Sequence, residues 1–229
     1  GAKIPALARG LVACGWFGIN TWVGGSAIYV ILNSVSGDAF VGQALPFLGI
    51  DITQTLCFFA FWAMHLVFIK HGTESIRWLE TFAAPFLILM GLALLGWAYV
   101  NAGGFGEMLS TPSQFVEGGA KEGQFWTAFF AGLTSMVGFW ATMALNIPDF
   151  TRFAKSQKDQ MLGQAIGLPL PMALFAFIGV AVTSATVTIY GEAIWDPVAL
   201  AGRMGGMGVV LALAALALAT LTTNLAANM

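Results

Sequence analysis

Charged residues divide this chain at intervals that no soluble helix needs. Stretches without Asp, Glu, Lys or Arg run over 10–37, 52–69, 81–106, 123–148, 160–191 and 204–229. Each reaches or exceeds the roughly 18 apolar residues that make a membrane-spanning helix credible, with about 20 needed to cross the hydrocarbon. A soluble core helix would carry a polar face within each stretch, and none does. The pattern predicts an all-α polytopic membrane protein with six spans, at about 11–33, 52–70, 81–101, 125–146, 168–190 and 207–229, forming one membrane domain over 1–229. Composition sharpens this reading. Of 229 residues, 58% are hydrophobic and 9% charged, far below the roughly one quarter charged of a soluble domain. Mean hydropathy is +0.82.

The few charges also orient the chain. With the N-terminal end in the cytoplasm, the inner loops carry Lys3, Arg9, Lys70, Arg77, Arg152, Lys155 and Lys158, and the outer loops only Lys121 and Arg203. Seven against two is the positive-inside bias, and it predicts a multi-pass protein of the cell inner (plasma) membrane. The inner segments 70–80 and 146–160 read as turn-and-cap loops. The outer segments 34–51 and 101–124 read as irregular, with a short surface helix expected after Pro197. Both ends look cut: the chain opens without Met and stops within an apolar helix, so it reads as an internal piece of a longer protein. Cys14 and Cys57 fall inside spans and read as buried apolar thiols. No basic cluster suggests nucleic acid.

Inside the spans, polarity is scarce. His65 is the one ionisable side chain there, about 7–8 Å of helix rise from Lys70. A structural hydrogen bond is its plainer role and a proton relay the sharper one. Without a carboxylate, Lys or Arg near any midpoint, a guest bound there would be neutral. There is no catalytic set, which argues against an enzyme, and no cofactor is called for. What remains is indoles, amides and hydroxyls. Trp16 and Asn20 stand one turn apart on one face. Trp140 and Asn146 lie in the fourth span. Thr220, Thr222, Thr223, Asn224 and Asn228 lie in the last. Indole faces stack on flat rings, and a carboxamide matches the alternating N–H and C=O edge of a pyrimidine or hydantoin. Hydroxyls and carbonyls in a broken helix suit a small cation. Singly, each residue has a plainer role: tryptophans anchor at interfaces, and Thr and Asn bond between helices. Glycines 15, 18, 24, 25, 132 and 138 permit close packing or a local break, with Gly138 the best candidate for a break.

The stretches "IPALARGLVACGWFGINTWVGGSAI", "FWAMHLVFIKHGTESIRWLETFAAP", "GFWATMALNIPDFTRFAKSQKDQMLGQAIGLP" and "ATLTTNLAANM" resemble helices three to eight of the twelve in the nucleobase–cation symporters. That family comprises cytosine, uracil, hydantoin, allantoin and purine permeases. "NIPDFTRFA" and "IWDPVALAGR" are most similar to its bacterial allantoin-permease branch. The resemblance implies part of a five-helix inverted-repeat fold of the sodium-coupled type. It implies cation-coupled symport of a neutral heterocycle by alternating access, the cation being sodium or a proton. By residue, it implies Trp16 and Trp140 as the indoles flanking the substrate ring and Asn228 as an amide bonding it. Asn20 stands where many members have glutamine, which leaves the substrate open. Ala219 would give a carbonyl, and Thr222 and Thr223 hydroxyls, to a sodium ion. The expected partners are thus a small neutral heterocycle, a coupling cation and the lipid bilayer. Rival readings are transport of thiamine or pyridoxine, or a non-transporting scaffold or receptor.

Overall fold

The computed structural model describes residues 3–110 and 112–228, and their side chains apart from 73, 107, 139–146, 149 and 150. Among the described residues the chain is all helical: α1 (Lys3–Ser36), α2 (Ile52–His71), α3 (Thr73–Asn101), α4 (Phe105–Leu109), α5 (Phe125–Thr151), α6 (Gln157–Gly167), α7 (Pro169–Tyr190), α8 (Pro197–Met204) and α9 (Gly206–Ala227). The 34 residues of α1 rise about 50 Å, more than the roughly 30 Å hydrocarbon layer. The 20 to 22 residues of α2, α7 and α9 match that layer closely. With α3, and α6 and α7 taken together, five segments are long and apolar enough to cross a membrane, and the apolar part of α5, Phe125–Gly138, is shorter. Their apolar side chains stand largely exposed, Leu89, Val137 and Val180 among them. The chain is an all-α polytopic membrane protein.

Several segments that read as loops are helical. Only Gly72, at φ 79°, separates α2 from α3, so 73–80 form the first turns of α3. Arg77 and Glu74 lie there as an exposed i,i+3 pair, the placement charges take at a helix end. In 146–160, α5 continues to Thr151, and α6 starts where Ser156 Oγ accepts the Asp159 N–H at 3.1 Å. In 101–124, Gly103 and Gly104 turn the chain with positive φ into α4. Helix α5 runs unbroken through Gly138, so the break expected there is absent. A glycine weakens a helix by roughly 1 kcal/mol, which flanking apolar residues readily offset. The helix expected after Pro197 is present as α8. It lies at the surface with one face turned inward, Leu200 and Ala201 buried and Pro197, Ala199, Gly202 and Arg203 exposed.

The chain divides into two compact units. The first comprises 1–12 and 95–193. There α7 buries Ile178, Ala181, Val182 and Ala185, an i, i+3, i+4, i+7 stripe. Helices α4 and α6 pack on α7, with Phe105 ringed by Tyr99 and Phe177. The second unit comprises 13–94 and 194–229. Its centre is α9, whose apolar window is 44% buried against 11% for α3. Ala27, Ala201, Val209 and Leu213 form one core cluster, and Phe61, Leu221 and Leu225 another. Gly24 and Gly25 of α1 make this packing possible. A Cβ on Gly25 would lie 2.8 Å from Phe58 Cα of α2, and one on Gly24 2.7 Å from Thr220 Oγ1 of α9.

Candidate functional site

The second unit draws the polar residues of three apolar helices into one buried cluster. They come with the backbone carbonyls one turn before them: Phe17 O and Thr21 on α1, Phe61 O and His65 on α2, and Asn224 on α9 with the half-buried Asn228 at its C-terminal end. Thr21, His65 and Asn224 are fully buried. An amide and an imidazole in such a place are costly unless bonded, and these are. His65 Nδ1 lies 2.8 Å from Phe61 O, its Nε2 3.1 Å from Asn224 Nδ2. Asn224 Nδ2 also lies 3.2 Å from Phe17 O and 3.3 Å from Thr21 Oγ1. Asn228 Nδ2 donates to Asn224 Oδ1 at 2.9 Å.

The proton positions follow from the carbonyls. A backbone carbonyl only accepts, so the nitrogen facing Phe61 O is N–H, and the Asn224 atom facing Phe17 O is its NH2. The NH2 then donates to His65 Nε2, which carries no proton, and the imidazole is neutral. The rings of Phe17 and Phe61, with centroids 5.0 and 4.9 Å from that of His65, shield it. His65 thus makes structural hydrogen bonds at both nitrogens. Asn228 Oδ1 is buried with no hydrogen-bond partner among the described residues.

The residues read from the sequence fall around this cluster unevenly. Trp16 and Asn20 are half-buried on α1, each one position before a residue that contacts Asn224. They share its level and stand about 100° around the helix. Asn228 caps the C-terminal end of α9 and joins the cluster directly. Thr222 is buried, and its hydroxyl lies 3.0 Å from both Leu218 O and Ala219 O. Two of the three oxygens expected for a cation are therefore adjacent. Donating one proton leaves the hydroxyl its lone pairs. Thr223 is exposed. The side chains of Trp140 and Asn146 lie outside the described residues. Helix α9 is unbroken at 219–223, so these oxygens are presented by a regular turn. Among the described residues no group of His, Cys, Asp and Glu could hold a metal ion.

A further buried polar site lies at the junction of α1 and α2. Asp51 caps α2 by accepting the Gln54 N–H at 2.7 Å, and takes the Tyr29 hydroxyl at 2.5 Å and the Gly42 N–H at 3.3 Å. Burial pushes its carboxyl up, but the Tyr29 hydroxyl and the N–H groups of Gln54, Gly42 and Thr53 outweigh it and hold the group below the ordinary carboxylate range. In the sequence Asp51 falls at the end of the segment 34–51 that reads as irregular. Its signal was local: an Asp directly before an apolar run, the usual start of a helix.

The chain matches, over residues 1–229, the family described as permease for cytosine/purines, uracil, thiamine and allantoin. It is 50% identical over 229 residues to a purine-uracil permease of Arabidopsis thaliana, covering 100% of this chain and 37% of that protein. It is 43% identical over 230 residues to an allantoin permease of Bacillus subtilis, covering 100% of this chain and 46% of that protein. To a hydantoin permease of Microbacterium maritypicum it is 28% identical over 249 residues, covering 100% of this chain and 45% of that protein. The chain therefore spans less than half the length of these relatives. No solved structure matches it.

Proposed function

Because the chain belongs to the family of permeases for cytosine/purines, uracil, thiamine and allantoin, we propose that it is the substrate-binding part of a secondary transporter. That transporter carries a neutral nucleobase or related heterocycle, such as uracil or allantoin, together with a cation. The observation that carries this reading is the buried, uncharged cluster of Thr21, His65, Asn224 and Asn228 within apolar helices. It holds no fixed charge and leaves one amide oxygen, Asn228 Oδ1, unpaired among the described residues, which suits an N–H of a neutral lactam and leaves the charge of an acid or amine uncompensated. The relatives' names, purine-uracil, allantoin and hydantoin permease, are of the same chemical kind.

Trp16 and Trp140 would stack on the guest's two faces, and Asn20 and Asn228 would bond its edge. Ala219 O, Thr222 Oγ and Thr223 Oγ would meet the coupling cation, sodium or a proton. Coupling requires that the cation favour the conformation with higher substrate affinity. Alternating exposure of a midplane site to the two sides completes the cycle. The protein would lie in the plasma membrane, with the N-terminal end of this chain facing the cytoplasm.

The test is uptake of radiolabelled uracil and of radiolabelled allantoin by the full-length protein in a host lacking both activities. Runs with and without sodium, and at several pH values, identify the cation. Accumulation should saturate and respond to one cation. Trp140→Ala should lower it at least about fivefold, since stacking on an aromatic face contributes on the order of 1–3 kcal/mol. Unchanged uptake in that variant would remove the indole from the site. Competition by thiamine instead of nucleobases would reassign the substrate.

A further inference from the structure

The polar cluster has a direction, and the direction ends on Asn228. Three acceptors surround the Asn224 nitrogen: Phe17 O, Thr21 Oγ1 and His65 Nε2, at 3.2, 3.3 and 3.1 Å. None of them tolerates an amide oxygen in its place. Phe17 O is a backbone carbonyl, and the Thr21 hydroxyl already donates to that same carbonyl at 2.6 Å. His65 has spent its one proton on Phe61 O. The Asn224 amide is therefore locked with its oxygen pointing away, toward Asn228. That oxygen accepts from Asn228 Nδ2 at 2.9 Å. A carboxamide that donates on one side presents its carbonyl on the other. The buried, unpartnered atom of Asn228 is accordingly Oδ1.

We propose that Asn224 is a positioning residue that turns the Asn228 amide oxygen toward the ligand, making this subsite specific for an N–H donor. The inference rests on the reading of Asn228 as a ligand-binding amide. A free asparagine could rotate and serve a donor or an acceptor equally. Here rotation would set two oxygens against each other across the Asn224–Asn228 contact. A ring N–H, as in an imide or a lactam, satisfies the subsite. A ring carbonyl or an N-alkyl group leaves a buried oxygen unpaired, and sites built around a polar partner reject such analogues strongly.

The experiment measures competition against radiolabelled uracil uptake by the full-length protein. The competitors are unlabelled uracil and 1,3-dimethyluracil, which keeps both carbonyls and lacks both N–H groups. The readout is the ratio of their inhibition constants. In the parent protein, uracil should compete at least about a hundredfold better. Asn224→Leu, which offers no acceptor to Asn228, should reduce this ratio at least tenfold. Where the Leu variant does not reach the membrane, the smaller Asn224→Ala replaces it with the same expectation. A Leu or Ala variant that takes up uracil more slowly with an unchanged ratio would show a merely structural role and overturn the inference alone. A parent protein that takes up neither uracil nor allantoin would overturn the transport reading, and this inference with it.

Discussion

At the level of single residues, burial and bonding separate side chains that look alike in the sequence. Asn20 and Thr21 are neighbours, yet Thr21 is fully buried against α9 and Asn20 only half-buried. Spacing alone does not say which face of an all-apolar helix meets its partner, because no polar face marks the outside. That is why Asn224, the residue linking all three helices, is one polar residue among five in the sequence, and why it is the family resemblance, not spacing, that sets Asn228 apart from it. The i, i+4, i+8 series Thr220, Asn224, Asn228 was the signal for it. Asp51 makes the residue-scale argument testable by pH. Its native carboxyl titrates below the ordinary range, so ionised Asp51 stabilises the fold at pH values above that range. The contribution is lost as pH falls through the depressed native value, by linkage. Thermal unfolding of the purified full-length protein should therefore show a melting temperature that falls as pH drops below about 5 and through the depressed native value. Asp51→Asn should melt lower at pH 7 and lose part of that acid dependence. A variant with the parent's full acid dependence would show that Asp51 is not its source.

At the level of helices, the charge-free stretches overlap the long apolar helices, but charged residues are poor guides to where helices end. Glu74 and Arg77 lie inside α3 and Lys158 and Asp159 inside α6. A charge ends the apolar layer, not the hydrogen-bonded ladder, and long side chains at a helix end reach the polar zone by themselves. Helix contacts were also legible only in part. The glycines at 15, 18, 24 and 25 are equivalent by composition. Only the last two lie where another helix comes close, since nothing stands within 4 Å of a Cβ built on Gly15 or Gly18. At Gly25 the obstacle is Phe58 backbone, 2.8 Å away, which no rotamer change relieves. Gly25→Ala should then cost about 1–3 kcal/mol, as overpacking does, seen as a clear drop in melting temperature of the full-length protein. Gly18→Ala should be tolerated and serves as the comparison. Equal stability of the two variants would mean that α1 and α2 do not approach at this glycine.

At the level of the whole molecule, the membrane itself is the largest inference, and the exposed surface gives a way to test it. Leu89 lies near the middle of α3 and is 64% exposed. On a soluble protein, Arg at such a position would be harmless, because a solvated guanidinium costs nothing. In hydrocarbon the same change costs roughly 2.5–3.5 kcal/mol by insertion measurements, unless the side chain reaches the interface or faces a polar cavity. From mid-helix in α3 the interface is about 13–15 Å away along the axis, beyond the easy reach of an arginine. Leu89→Arg should therefore sharply lower the amount of full-length protein recovered in the membrane fraction. Arg77→Leu, at an exposed position three residues after Glu74 in the first turns of α3, should have little effect on it. The sign of the Leu89 result discriminates where a fold description does not: the same exposed leucine predicts gain of solubility in water and failure of insertion in lipid. Full recovery of the arginine variant would place that face of α3 against water, and would move the neutral-guest argument away from a lipid-enclosed site.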